Sequence, residues 1–246
     1  MVHFHAVRLG VVPTIRSTRT LLVFLAALLS GSAAAESAIL IHSVYAGGFG
    51  GTGTYSRDYV VLVNRSTSPA SLNGLRLQSA SAVGTFASVP SNILSLPDVT
   101  LQPGQFYLIE CGPGGSSGAS VPQPDLTTTS LSLTNGSGKV ALTNTATELG
   151  GGSDTSPIPL PDPRILDLVA YGVSNNAEGG APAGNGEPIP DTQAIRRKQN
   201  ALGHIQDTDN NHDDFELIIP TGINAPFNSS SPFATVPVAL SGFALD

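Results

Sequence analysis

No long segment of this chain sustains an apolar repeat of 3.6 residues. Short runs rich in Val, Ile, Leu, Thr and Tyr recur instead, each closed by Gly, Pro, Asn or Ser. Such punctuation belongs to an all-β sandwich or barrel. The 27 Gly and 19 Pro strengthen that reading, because inside a helix Gly costs about 1 kcal/mol and Pro about 3. Strands are expected at Ala38–Tyr45, Tyr59–Asn64, Leu72–Ser79, Val99–Leu101 and Gln105–Cys111. Further strands are expected at Ser130–Leu133, Lys139–Asn144, Ile165–Tyr171, Gln193–Lys198 and Asp214–Ile219. Within them Ile41, Val60, Leu62, Leu108, Val140, Leu142, Leu168 and Leu217 are the expected core. Asn135-Gly136, between two alternating runs, predicts a tight hairpin. Pro103-Gly104 predicts a type II turn. Three long Gly- and Pro-containing loops, Gly112–Pro124, Gly150–Pro163 and Ser174–Pro190, are where binding is expected on such a scaffold.

The first 35 residues read differently. Arg8, Arg16 and Arg19 precede the apolar run Leu21–Leu29, and Ala33-Ala-Ala35 follows before Glu36. That order matches a cleaved secretory signal, 1–35. The apolar run falls short of the roughly 20 residues that span a bilayer. The tail after Ser229 is also too short and too broken by Pro to span. The expected organisation is therefore a signal over 1–35, one β-domain over 36–228, and a tail or extra edge strand over 229–246. Export is the expected fate.

Net charge is −7, and the leader carries three Arg without an acid, so its removal deepens the acidity. Nucleic acid is a poor partner for such a chain, since phosphate binding draws on clustered Lys and Arg. The run Arg196-Arg197-Lys198 reads as a solvated strand edge. Cys111 is the single cysteine, which excludes an intrachain disulfide. It closes an apolar run and reads as a small core residue.

Several catalytic patterns fail on context. Gly48-Phe-Gly-Gly-Thr-Gly53 fits the dinucleotide spacing, but a strand rather than a helix follows it. Gly114-Gly-Ser-Ser-Gly118 fits a nucleophile elbow, yet Pro122 and Pro124 preclude the helix that must present the serine. Gly138-Lys139 lacks the earlier glycine of a phosphate loop. His42 reads as a strand-face residue, and His204 and His212 lack zinc-type spacing.

The acidic segment Asp207-Thr-Asp-Asn-Asn-His-Asp-Asp214 leaves two readings open. Asp207, Asp209, Asn211 and Asp213 offer hard oxygen ligands of the kind that suit calcium. An EF-hand is excluded, because His212 stands at its sixth position and Ile218 at its twelfth. Alternatively the segment is an Asx-type turn whose side chains bond nearby backbone.

The order of segments resembles the bacterial lamin-tail domain. Ile39–Gly48, Asp58–Asn64, Ser71–Gln78, Leu101–Ile109, Lys139–Leu142, Ile165–Gly172 and Asp207–Phe215 carry the resemblance, over roughly residues 38–228. It implies an immunoglobulin-like β-sandwich in which the acidic segment is a structural lead into the last strand. Members of that family often bear Trp where Leu75 stands, whereas this chain has no Trp. Secreted members often accompany a nuclease, phosphatase or protease domain, and no segment here reads as one.

Two functions follow as expectations. One is a secreted, non-catalytic structural or binding module that needs no cofactor and meets an extracellular protein or cell-surface polymer. The alternative is a metal-dependent secreted hydrolase, of nuclease or phosphatase type, using Asp207, Asp209, Asp213, His204 and His212.

Overall fold

Ile39–Tyr45 and Asp58–Asn64 are buried along their whole length. A strand shielded on both faces must lie in a sheet covered twice, and that requirement shapes the molecule. The computed structural model describes residues 37–184 and 186–237; the expected leader lies outside them. Twelve strands are present among the described residues. They are β1 (Ile39–Tyr45), β2 (Asp58–Asn64), β3 (Ala70–Ser71), β4 (Arg76–Ser81), β5 (Ile93–Ser95) and β6 (Thr100–Leu101). Then come β7 (Phe106–Cys111), β8 (Leu126–Thr127), β9 (Gly138–Thr143), β10 (Ile165–Tyr171), β11 (Ala194–Arg197) and β12 (Phe215–Ile218). A one-turn helix, α1 (Asn211–Asp214), precedes the last strand.

The strands form an all-β sandwich. One sheet runs β12-β11-β1-β2-β7-β8, the other β10-β9-β4-β5, and β3 with β6 makes a small separate ribbon. Every pairing is antiparallel except that of β7 with β8. Between the two larger sheets lie Ile39, Ile41, Val60, Leu62, Tyr107, Ile109, Val140, Leu142, Val169 and Ile195. The alternate residues of the same strands face outward and are covered as well. Leu40, Tyr59, Val61 and Leu108 pack under Tyr55, Val121, Ile205 and Phe227, which come from loops and the C-terminal segment. Ala80, Ala141 and Leu168 pack under Phe86, Leu149 and Ile158. Three apolar layers explain why the strands read as nearly continuous apolar runs.

Several sequence expectations are corrected. The strand placed at Leu72–Ser79 begins at Arg76, because Leu75 donates its N–H to Leu72 O in a turn. Ser130–Leu133 is not a strand. Leu131 takes a left-handed φ of 61° and bonds to Ser91, while Gly112 bonds to Ser130. Without that strand Asn135-Gly136 joins no hairpin, and β9 pairs with β4 and β10 instead. Leu217 is 39 % exposed, since β12 is the outermost strand of its sheet. The other seven expected core residues are fully buried. Pro103-Gly104 does turn as expected, with Gly104 at φ 77° and Gln105 N–H bonded to Gln102 O. Residues 229–237 lie against the sandwich through Ala234 N to Gly104 O (2.8 Å) and a bridge between His204 and Thr235. The remainder of the tail lies outside the described residues.

Candidate functional site

The richest polar cluster grows from an irregularity in β1. Its register to β2 slips between Ile41 and Ser43, and β11 pairs with β1 only from Ser43 onward. The peptide groups of Ile41 therefore need side-chain partners. Asp167 on β10 supplies one, its Oδ2 accepting from Ile41 N at 2.6 Å. Arg197 on β11 supplies the other, Nε donating to Ile41 O at 2.9 Å. The two side chains meet across the sandwich, Nη2 to Asp167 Oδ1 at 2.6 Å, and both are buried. Nη1 reaches Gln206 O at 3.1 Å, Asp207 Oδ1 at 3.1 Å and Asp214 Oδ2 at 3.4 Å. The guanidinium also lies over the Phe215 ring, 4.6 Å from its centroid. Arg197 is thus a fully buried hub, which corrects its reading as part of a solvated edge.

The acidic segment divides its side chains among separate tasks. Asp207 also pairs with Arg65 at 2.7 Å. Asp214 accepts from Thr208 N and Oγ1 (both 2.8 Å) and from Gln206 Nε2 (3.1 Å). Asn210 caps α1, accepting from His212 N and Asp213 N. Asn211 is buried against β10, accepting from Ala170 N at 2.8 Å and donating to Leu168 O at 2.7 Å. Asp209 stands at an exposed turn with φ 53°. Asp213 is 60 % exposed and touches His212 Nδ1 at 3.0 Å.

The four candidate calcium ligands consequently do not converge. Asp207 turns to the arginines, Asn211 to β10, and Asp209 and Asp213 stay on the surface. The residues do not fit a calcium ion, and among the described residues no cluster of three or more His, Cys, Asp or Glu could hold a metal. The arrangement matches the Asx-turn reading, extended into a network that ties two sheets together.

Burial governs the electrostatics here. It raises Asp167 above the usual carboxylate range, against the pull of Arg197. Glu178, whose carboxylate accepts from Leu168 N and Asn211 Nδ2 (both 3.2 Å), is raised by burial and then by the Asp167 charge. Burial also pushes Asp214 upward, but the Thr208 and Gln206 hydrogen bonds and Arg197 together hold it below its ordinary value. For Arg197 the surrounding Asp167, Asp207, Glu178 and Asp214 outweigh desolvation and keep it charged. One cation compensated by several carboxylates is a structural clamp.

Beside the clamp opens a cleft of about 650 Å³ of mixed polar and apolar lining, which includes Arg65, Ser66, Asn200, His204, Asp207 and Thr208. Two side chains with distinctive chemistry escaped the sequence reading, Arg197 and Lys139. The two-residue strand period held the signal for Arg197, which shares a face with Ile195. For Lys139 it is the shared face with Ala141, beneath the loop residue Phe86.

No family model matches the chain, and no curated protein matches it. Among solved structures it is similar to the crystal structure of a DUF4876 family protein from Bacteroides thetaiotaomicron. The match covers 82 % of this chain and 75 % of that one, at 14 % identity and a TM-score of 0.47.

Proposed function

We propose that the protein is an exported, non-catalytic β-sandwich module of the immunoglobulin-like, lamin-tail type, which binds or spaces extracellular partners. One observation carries this reading. The acidic segment, the part of the sequence richest in potential chemistry, spends Asp207, Asn211 and Asp214 on bonds within the fold. The segment order that resembles lamin-tail domains supports the finer assignment. The partner is an extracellular protein or cell-surface polymer, met at the cleft beside Arg65 and Asp207, where hydroxyl and carboxamide groups are presented to solvent.

The test sets binding against hydrolysis. Exported protein is co-sedimented with insoluble envelope polymers and assayed on DNA and phosphate esters with Ca²⁺ or Mg²⁺. Retention on polymer without turnover is expected, weakened by Thr67→Arg, which crowds the cleft. Metal-dependent hydrolysis that disappears in Asp209→Ala would establish the hydrolase instead. Calcium should leave the melting temperature unchanged, whereas an ion bound only by the native state adds about 2.7 kcal/mol at one hundred times its dissociation constant. Sequencing the N-terminus of exported protein tests the leader, with cleavage expected at or near Glu36.

A further inference from the structure

On the outer face of the four-stranded sheet, Lys139 is fully buried and brings its amine against a side-chain amide. Nζ contacts Asn175 Oδ1, and it also donates to Gly152 O at 2.5 Å and Gly84 O at 3.2 Å. The other end of that amide is occupied too. Asn175 Nδ2 donates to Asp154 Oδ1 at 2.5 Å. An amine, a carboxamide and a carboxylate thus stand in line.

We propose that Lys139 and Asn175 form an intramolecular isopeptide bond, with Asp154 carrying the proton. The neutral amine attacks Asn175 Cγ, which lies one C=O bond, about 1.23 Å, from the Oδ1 that it already touches. A bond forms between Nζ and Cγ, and the bond between Cγ and Nδ2 breaks. One proton passes from Nζ to the departing nitrogen by way of the Asp154 carboxylate. Ammonia leaves and a secondary amide remains. Atoms and charges balance without an oxidant, cofactor or second substrate.

The surroundings favour each part of this step. The amine lies 5.5 Å from the centre of the Phe86 ring, in the apolar layer with Ala80, Ala141, Leu149, Ile158 and Leu168. Burial there lowers the Lys139 pKa to about 8, against the opposing pull of Asp154, so neutral amine is present at ordinary pH. Asn175 is held by its backbone N–H to Ala82 O at 3.1 Å. Next to it, Asn176 fixes the covering loop through Ile158 N (2.7 Å) and Ile158 O (3.1 Å). Gly152 approaches so closely that a Cβ there would meet the Phe86 ring at 2.7 Å. The reacting groups are therefore positioned before reaction, which is the main requirement for an amide to be attacked by an amine. Asp154 is exposed, giving ammonia a way out.

Intact-mass measurement of the exported wild-type protein in denaturant decides the matter. The expected mass is one ammonia below that of the mature sequence. Peptide mapping should return a branched species joining the Lys139 and Asn175 segments. Lys139→Arg and Asn175→Ala should each restore the full mass, and Asp154→Ala should slow or abolish the loss. Full mass in folded wild-type protein, with Lys139 open to amine-reactive reagent after denaturation, overturns the proposal whether or not the variants fold. A missing ammonia mapped to Asn73-Gly74 or Asn135-Gly136 overturns it equally. Crosslinking of Asp154→Ala at the wild-type rate would remove Asp154 from the step.

Discussion

Deleting the Arg197 guanidinium would leave Asp167 and Asp214 buried without their cation and the Ile41 carbonyl without its donor. Breaking a buried pair in this way costs about 3–5 kcal/mol. Arg197→Met should therefore show a loss of that size in urea unfolding, and Arg197→Lys should recover only part of it, because an ammonium cannot reach all these acceptors at once. His42 offers a second test, this time of pH. It is buried with Nδ1 unpartnered, and desolvation, aided by the Arg196 and Arg197 charges, lowers its pKa from 6.5 to about 3. The unfolded chain then binds a proton that the native state refuses. His42's contribution is present above pH 6.5 and is lost as pH falls toward 3. His42→Leu should flatten this acid limb of a stability-against-pH curve, and an unchanged slope would remove His42 as its origin. Neither role was legible from residue type alone. A run of three basic residues suggests solvent, yet alternation along β11 puts Arg197 on the face of Ile195, and only the partner sheet shows what it meets there.

At the scale of elements, β10 is an outer strand of the four-stranded sheet and would present unpaired peptide groups. Asn211 closes Leu168 O and Ala170 N, Glu178 closes Leu168 N, and Ala183 bonds to Ala170 O and Gly172 N. The acidic segment and the loop that follows β10 therefore act together as a substitute strand. Asn211→Ala should cost about 1–3 kcal/mol for each peptide group left unbonded. It should also raise self-association in sedimentation, through the uncovered edge. A variant that stays monomeric and equally stable would show that the cap is dispensable. The sequence displayed the segment clearly but not its direction. Alternate acidic residues look like metal ligands until the bend at Asp209 and the turn of α1 send them to different neighbours. The long strands were legible for the opposite reason. Their apolar residues are dictated by burial on both faces, whereas β3, β5 and β8 are too short to leave a pattern.

The molecule as a whole must hold a sandwich together without a disulfide, since Cys111 is its single cysteine and is buried. Its all-β class followed from the density of turn residues, but nothing in the sequence brought Lys139 and Asn175 together. They lie 36 residues apart, and it is the pairing of β9 with β10 that sets Lys139 beside the loop carrying Asn175. An isopeptide bond between them would close that loop in the unfolded chain too. By the chain-entropy argument that applies to any covalent crosslink, such a loop stabilises the native state by roughly 3–4 kcal/mol. Unlike a disulfide, the bond would survive reducing agent. Guanidinium unfolding of wild-type protein and Asn175→Ala should therefore differ by about that amount, with or without thiol. Part of any difference could arise from the lost hydrogen bond to Lys139, so Lys139→Arg serves as the second arm, since it keeps a buried cation and cannot crosslink. If both variants match the wild type in midpoint, and in the denaturant dependence that reports the size of the unfolded chain, the sandwich stands on its three apolar layers alone.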